Sequence, residues 1–184
     1  VAMPQLFCTD QDPLPSLGCE ELKGVNAPDI RALEDVKAGA AKALAEKLAA
    51  ELTDVFIPAG ESDCKARIFI VVNPLESLED TFFEVWGLTD EWEGNSVREA
   101  MTYSEVDLGS CLRIGFCRYG EDEDDEDDED DEYKAPILGA TALMHEYLED
   151  PFTINFTDAI VVAPVAWGGF VDGSIVGVLG MRVW

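Results

Sequence analysis

Residues 121–132 form an unbroken run of twelve carboxylates, and this run limits the fold more than any other feature. A buried charge without a partner costs several kcal/mol, so twelve neighbouring carboxylates cannot pack into a core. The sequence therefore predicts a solvated, disordered acidic loop over residues 120–133. A structured calcium loop needs spaced ligands and a glycine, which the run lacks, so no metal site is expected there. The run consists of Glu121, Asp122, Glu123, Asp124, Asp125, Glu126, Asp127, Asp128, Glu129, Asp130, Asp131 and Glu132.

Periodic segments lie on both sides of this loop. Apolar residues alternate with polar ones through residues 105–119, which predicts a half-buried β-strand. After the loop, Ile137, Thr141, Met144 and Leu148 share one stripe, which predicts an amphipathic helix over residues 137–148. A longer helix is predicted over residues 29–52, where leucine and alanine recur at helical spacing after an Asn-Ala-Pro-Asp start.

Further strands are predicted from short apolar segments. Residues 66–72 are apolar on both parities, as in a central strand covered on both sides, and strands are also predicted at residues 81–88, 153–163 and 174–184. A short helix is predicted after Asn95-Ser96, and turns at residues 167–169 and 172–173. Gly177 and Gly180 indicate a bulge or a close approach by another backbone. The predicted fold class is α/β (α+β), with two helices packed on a mainly antiparallel mixed sheet.

The N-terminal region has a different composition from the domain that follows. Residues 1–27 combine prolines and glycines with scattered apolar residues, so we predict an extended N-terminal arm, followed by a single domain over residues 28–184. An apolar arm gains stability by lying on a neighbour, and the apolar last strand would be hazardous as an exposed edge. The predicted contacts with other subunits are therefore Leu6, Phe7, Leu14, Leu17, Trp167 and Trp184.

Acidity is a property of the whole chain, because the net charge is −27 and remains −15 without the twelve charges of the run. Such a surface repels phosphates and anionic lipids, which disfavours sequence-specific nucleic-acid binding and docking on membranes. Pro164 interrupts the longest apolar stretch, so no membrane span is predicted.

The residues that usually carry catalysis are few. His145 is the only histidine, and although it would share a helix face with Glu149, no second histidine completes a set of metal ligands. There is no Gly-x-Ser-x-Gly motif and no phosphate-binding glycine loop. We therefore predict no enzyme, no catalytic residue, no cofactor and no metal. The five cysteines include no Cys-x-x-Cys pair, which favours reduced thiols in a cytoplasm over a secreted protein with a Cys8–Cys19 disulfide.

The predicted order is helix, three strands, acidic loop, helix and two strands. By element order alone, this resembles the tail-terminator or tail-completion (head–tail joining) family of tailed bacteriophages. The resemblance covers residues 29–184 and implies a structural protein that forms a ring, often a hexamer, beside neighbouring virion proteins. It also implies assembly in the host cytoplasm. The arm and the long acidic loop depart from the family pattern.

Two other functions remain open from the sequence. One is a self-assembling shell or lattice protein of a cell or organelle, which removal of a leader before Val1 would favour. The other is a small acidic binding module or enzyme. The mass of the native particle distinguishes a ring, an open lattice and a monomer.

Overall fold

The computed structural model describes residues 2–12, 29–59, 62–92, 94–105, 134–157, 159–160 and 162–183. The strands are β1 (Gln5–Cys8), β2 (Ile30–Ala32), β3 (Phe56–Ala59), β4 (Ser62–Lys65), β5 (Arg67–Val72), β6 (Glu91–Trp92), β7 (Asn95–Ser96), β8 (Met101–Glu105), β9 (Glu149–Phe156), β10 (Val162–Val171) and β11 (Ser174–Val183). The α-helices are α1 (Ala40–Glu51), α2 (Leu78–Val85), α3 (Val97–Ala100) and α4 (Lys134–Tyr147). These elements confirm the predicted α+β class.

A seven-stranded sheet in the order β2-β1-β5-β11-β10-β9-β8 forms the centre of the fold. Only β1 and β2 pair in parallel, and every other neighbouring pair in this sheet is antiparallel. The hairpin of β10 and β11 turns at Asp172 and Gly173, whose φ angles of 48° and 75° are both positive. Two positive φ angles match the twist of a tight hairpin, so the turn predicted at residues 172–173 is confirmed.

Both faces of the sheet are buried, and β5 shows this most clearly. Ile68 and Ile70 point to the face covered by α1 and α4, whereas Phe69 and Val71 point to the face covered by α2. We call these the α4 face and the α2 face. A strand covered on both sides is apolar on both parities, and the central strand predicted at residues 66–72 is therefore confirmed.

Helix α4 follows its predicted pattern. Ile137, Thr141, Met144 and Leu148 are all buried against the α4 face. The Thr141 hydroxyl donates a 2.8 Å hydrogen bond to the Ile137 carbonyl oxygen, so this buried hydroxyl has a hydrogen-bond partner.

The first helix begins later than predicted. Residues 29–39 hold β2 and a 3-10 turn at Leu33–Asp35, and the α-helix begins at Ala40. Ile30 lies opposite Leu6 of β1, so a sheet partner distant in sequence overrides the local helical pattern. From Leu44 to Leu52 the predicted helical stripe is buried as expected.

The prediction of an extended arm outside the sheet is wrong for its first part. Gln5–Cys8 is an interior strand that lies between β2 and β5. Pro4 precedes the strand, where its missing N–H does not interrupt the ladder of hydrogen bonds. Residues 13–28 lie outside the described residues.

The strand predicted at residues 81–88 is also wrong, because Leu78–Val85 is helical. The Ser77 hydroxyl caps this helix by accepting a 3.3 Å hydrogen bond from the Asp80 amide, and Glu79 and Asp80 lie in its first turn. Phe82, Val85 and Trp86 then recur at helical spacing, and all three are buried. The short helix after Ser96 is confirmed as α3, which Ser96 caps through the Glu99 amide.

The remaining strands differ from prediction at their ends. The strand predicted at residues 153–163 is two strands, β9 and β10, and the turn predicted at residues 167–169 lies inside β10. Strand β8 ends at Glu105, where the predicted 105–119 strand begins. Residues 106–133, including the predicted acidic loop, lie outside the described residues.

A row of two glycines shapes the α2 face. Gly177 lies opposite Phe69 on one side and Gly168 on the other, and Gly168 lies opposite Phe152. A Cβ atom on Gly177 would collide with the Trp167 carbonyl oxygen and lie 2.9 Å from the Phe69 ring. The close backbone approach predicted at Gly177 is thereby confirmed. The two glycines leave room for the rings of Phe69 and Phe152. The Phe82 ring packs against both, with its centroid 5.9 Å from that of Phe69 and 5.8 Å from that of Phe152.

Candidate interaction surfaces

Three of the side chains predicted to contact other subunits lie inside this chain's own core. Leu6 is 1% exposed, Phe7 6% and Trp167 1%, because β1 and β10 are interior strands of the sheet. The prediction that they contact neighbours is therefore wrong. Leu14, Leu17, Trp184 and the acidic residues 121–132 lie outside the described residues.

His145 and Glu149 do not share a helix face as predicted. Helix α4 ends at Tyr147, which leaves His145 exposed on the helix and places Glu149 at the start of β9. Within the described ranges, no three histidine, cysteine or acidic side chains cluster as metal ligands do.

Cys8 lies in the core on the α2 face. Burial raises the pKa of its thiol to about 12, although the nearby Arg67 guanidinium acts in the opposite direction. Arg67 in turn donates a 2.7 Å hydrogen bond to the Asp12 carbonyl oxygen. At neutral pH the thiol is therefore protonated, and Cys8 acts as a small apolar side chain.

The outside of the α2 face is strongly acidic. Arg98 is the only basic residue in residues 74–100, where it pairs with Asp80 at 2.6 Å and lies 4.4 Å from the Phe83 ring centroid. We call this surface the acidic layer. Its exposed carboxylates in the described residues belong to Glu76, Glu79, Asp80, Glu84, Asp90, Glu91 and Glu99.

The outside of the α4 face has balanced charge. Helix α1 carries two lysines and two glutamates, and α4 carries one of each. Residues 135–144 of α4 contain no charged side chain, and Leu138 among them is 52% exposed. The Lys47 ammonium lies 4.6 Å from the Tyr147 ring centroid and 3.3 Å from the Tyr147 hydroxyl, which ties α1 to α4. We call the exposed side of residues 135–144 the α4 strip.

A groove of about 560 Å³ lies where the start of β1 and β2 meets the end of α2. Met3, Phe83 and Leu88 form its apolar wall, and Met3 is 59% exposed. Asp29 and Arg31 line the groove as well and pair at 3.6 Å. The groove therefore combines an apolar wall with charged groups at its edge, as many protein interfaces do.

No family model matches this chain, and no curated protein shows significant sequence similarity to it. The described helices include none with both the length and the apolar character needed to cross a membrane.

Sequence reasoning missed both the α4 strip and the groove. The strip has a readable signal, since residues 135–144 lack charge in a predicted amphipathic helix, whereas the longer uncharged stretch at residues 159–171 leads into the buried strand β10. The groove has no such signal, because residues from positions 3, 31 and 88 meet only in the folded chain.

Proposed function

We propose that this chain is a structural subunit of a closed ring of the kind that terminates a phage tail. The sorting of charge between the two faces of the sheet supports the proposal. The element order behind the resemblance holds only in part, because β1 and β2 precede α1 and Leu78–Val85 is a helix rather than a strand.

Copies of a chain with a net charge of −27 repel each other strongly. Salt screens this repulsion over about 8 Å at physiological ionic strength, which is comparable to the distances across an interface. A stable assembly therefore needs contact surfaces of low charge. The outside of α1 and α4 meets this need, since the charges on each helix sum to zero.

The acidic layer suits a different task. Seven exposed carboxylates against one arginine repel a phosphate backbone, so a ring wall with this surface would let DNA pass without binding it. Neighbouring structural proteins of the same particle are the other partners we propose.

The proposal is tested by the mass of the purified full-length protein, measured by light scattering at physiological salt and checked by electron microscopy. A single closed particle with a central hole is expected. Open sheets that grow with concentration would favour the shell or lattice subunit instead. A monodisperse monomer at high concentration would overturn both and leave a small binding module as the better account.

A further inference from the structure

We propose that this chain cleaves its own backbone between Asp150 and Pro151, with the Asp150 carboxyl group as the nucleophile. The step occurs once in each chain, so it is not the turnover of a substrate, and it does not depend on the proposed ring. Three features distinguish this bond: a backbone conformation imposed by a bulge, anchoring of the chain on both sides, and a side chain that can attack.

A bulge in strand β9 determines the backbone conformation at this bond. Two residues of β9, Asp150 and Pro151, lie opposite the single residue Gly169 of β10, where the register of the two strands shifts. One residue of such a bulge takes a conformation outside the β region. The proline ring fixes φ at about −65°. Asp150 therefore takes the unusual conformation, and its φ is 48°.

This conformation is unfavourable for a residue that precedes a proline. The Cδ atom of the proline ring crowds the preceding residue and restricts it to extended conformations with negative φ. A positive φ in a residue other than glycine adds a further cost. Breaking the bond between Asp150 and Pro151 separates the ring from Asp150 and relieves this strain.

The surrounding fold prevents Asp150 from relaxing. Leu148 is buried on the α4 face two residues before it, and Phe152 is buried on the α2 face two residues after it. Strand β10 also lies close, since a Cβ atom on Gly169 would be 2.8 Å from the Leu148 Cβ atom and 2.9 Å from the Glu149 carbonyl oxygen. The chain is therefore held on both sides of the bulge, while Asp150 itself is exposed to water.

The reaction uses only groups of these two residues and water. The protonated Asp150 carboxyl group gives its proton to the Pro151 nitrogen, and one carboxyl oxygen forms a bond to the Asp150 carbonyl carbon. The bond between that carbon and the proline nitrogen breaks, which leaves a five-membered cyclic anhydride at residue 150 and a free N-terminus at residue 151. Water then opens the anhydride, so the net change is the addition of one water molecule. A nucleophile within the same residue has a high effective concentration at the carbonyl carbon.

Two other bonds to proline separate the parts of this proposal. Asn73 also precedes a proline and has a φ of 54°, but its side chain is an amide without a carboxyl proton. Asp12 precedes a proline and has the carboxyl group, but its φ is not positive. The bond after Asn73 is therefore an internal control for the carboxyl group, and the bond after Asp12 is an internal control for the backbone conformation.

The test follows the intact mass of the purified full-length protein, with protease inhibitors, during incubation at about pH 5, where on the order of a tenth of ordinary carboxyl groups are protonated. This pH lies above the isoelectric point of about 4.1. Two fragments should appear, residues 1–150 and 151–184, and their masses should sum to that of the parent plus one water. The rate should not depend on protein concentration, because the step is intramolecular.

The folded protein should cleave this bond about 10–100-fold faster than the same protein in urea, because unfolding relieves the strain. In urea, the bonds after Asp12 and Asp150 should break at similar rates. In the folded protein, the bond after Asp150 should break first and the bond after Asn73 should stay intact. The fragments should remain in one particle, because β11 pairs with β5 and β9 pairs with β8.

Asp150→Asn is the matched variant, because asparagine has nearly the same shape and also tolerates a positive φ. It should slow cleavage at this bond by at least about 10-fold. Pro151→Ala is a second variant should Asp150→Asn not fold. It removes the crowding by the proline ring, so it should slow cleavage as well.

Each contrary result overturns the proposal at a definite step. An intact parent, after a time in which the unfolded chain is cut, shows that the fold protects the bond. Equal rates in the folded protein and in urea show that the bulge does not promote cleavage, and so does cleavage after Asp12 that is as fast in the folded protein as cleavage after Asp150. An unchanged rate in Asp150→Asn shows that the side chain is not the nucleophile.

Discussion

The two faces of the central sheet are both buried, but they are filled in different ways. On the α4 face, branched aliphatic side chains such as Ile70, Val176 and Val178 meet leucines of α1. On the α2 face, aromatic rings cluster around Phe82, and the sheet beneath them is opened by Gly168 and Gly177. Both faces contain glycines where a Cβ atom would clash, since Gly169 and Gly180 lie against Leu148 and Trp167 on the α4 face. Aliphatic packing depends mainly on total volume, whereas the rings around Phe82 also depend on their mutual orientation. The α2 face should therefore tolerate change less well.

The surfaces that cover the two faces of the sheet also differ in their charge. The acidic layer covers the aromatic side, and the balanced charges of α1 and α4 cover the aliphatic side. On the α2 side, a core that we expect to tolerate few substitutions lies beneath an acidic surface. On the α4 side, a core that we expect to tolerate more substitutions lies beneath the surface that we propose for contacts.

The largest effect is expected from Phe82→Ala. Phe82 is fully buried and contacts three rings, with centroids at 4.7 Å (Trp86), 5.8 Å (Phe152) and 5.9 Å (Phe69). The substitution should lower the free energy of unfolding by about 3–5 kcal/mol in a urea titration followed by circular dichroism.

Leu48→Ala is the matching change on the α4 face, where Leu48 is also fully buried. Its cost should lie nearer the lower end of about 2–5 kcal/mol, because the aliphatic surroundings can relax into the space. A larger loss for Leu48→Ala than for Phe82→Ala would contradict the proposed difference between the faces.

The next largest effect is expected from Gly177→Ala. The new methyl group would meet the Trp167 carbonyl oxygen and the Phe69 ring, and neither can withdraw without disturbing the sheet. We expect a loss of about 1–3 kcal/mol in the same titration. Gly39→Ala is the control, because no atom lies within 4 Å of its Cβ position and its φ of 166° is extended. Equal stability of the two variants would show that the glycine row is not required.

Sequence reasoning succeeded where local pattern and final environment agree. The stripe of α4, the two-sided strand β5 and the turn at Asp172-Gly173 all follow from periodicity or turn chemistry within a few residues. Each prediction holds because the environment of the segment in the folded chain matches its local sequence pattern.

It failed where a distant partner decides the structure. Residues 5–8 become a strand because they pair with both β2 and β5, and residues 30–32 because they pair with β1, which no local pattern reveals. The strand predicted at residues 81–88 is wrong for another reason, since their aromatic residues favour strands while the cap at Ser77 and the acidic first turn fix a helix. The contact surfaces depend on such long-range placement, and this explains why the predicted contact residues Leu6 and Phe7 proved to be core residues.

A smaller effect should appear at alkaline pH through Cys8. The folded state holds the thiol proton more tightly, because burial raises its pKa from 9.0 to about 12. The resulting stabilisation is complete below pH 9 and is lost as the pH rises from there towards about 12. The thiol should contribute a loss of up to about 1.4 kcal/mol per pH unit in that range.

Urea titrations at about pH 8 and about pH 10 can isolate this contribution by comparing the parent with Cys8→Ala. The variant should be less stable than the parent at the lower pH, because the substitution removes buried volume. Its further loss on going to the higher pH should be smaller than that of the parent. Parallel losses in the two proteins would show that the Cys8 thiol does not titrate as described.

The smallest effect concerns the two cation–ring contacts, one on each side of the sheet. Arg98 stacks on Phe83 within the acidic layer and pairs with Asp80, whereas Lys47 stacks on Tyr147 on the balanced side. Both are exposed, so Arg98→Met and Lys47→Met should each cost only about 0.5–1 kcal/mol.

The response of the two variants to salt should differ. Removing Arg98 takes away the only positive charge in residues 74–100, so its cost should shrink as salt screens the remaining carboxylates between about 0.01 and about 1 M. Lys47 has both lysine and glutamate neighbours on α1, so salt should change the cost of Lys47→Met less. Urea midpoints of both variants and the parent across this salt range provide the measurement. The same salt response for both variants would mean that the charge difference between the two sides has no effect on stability.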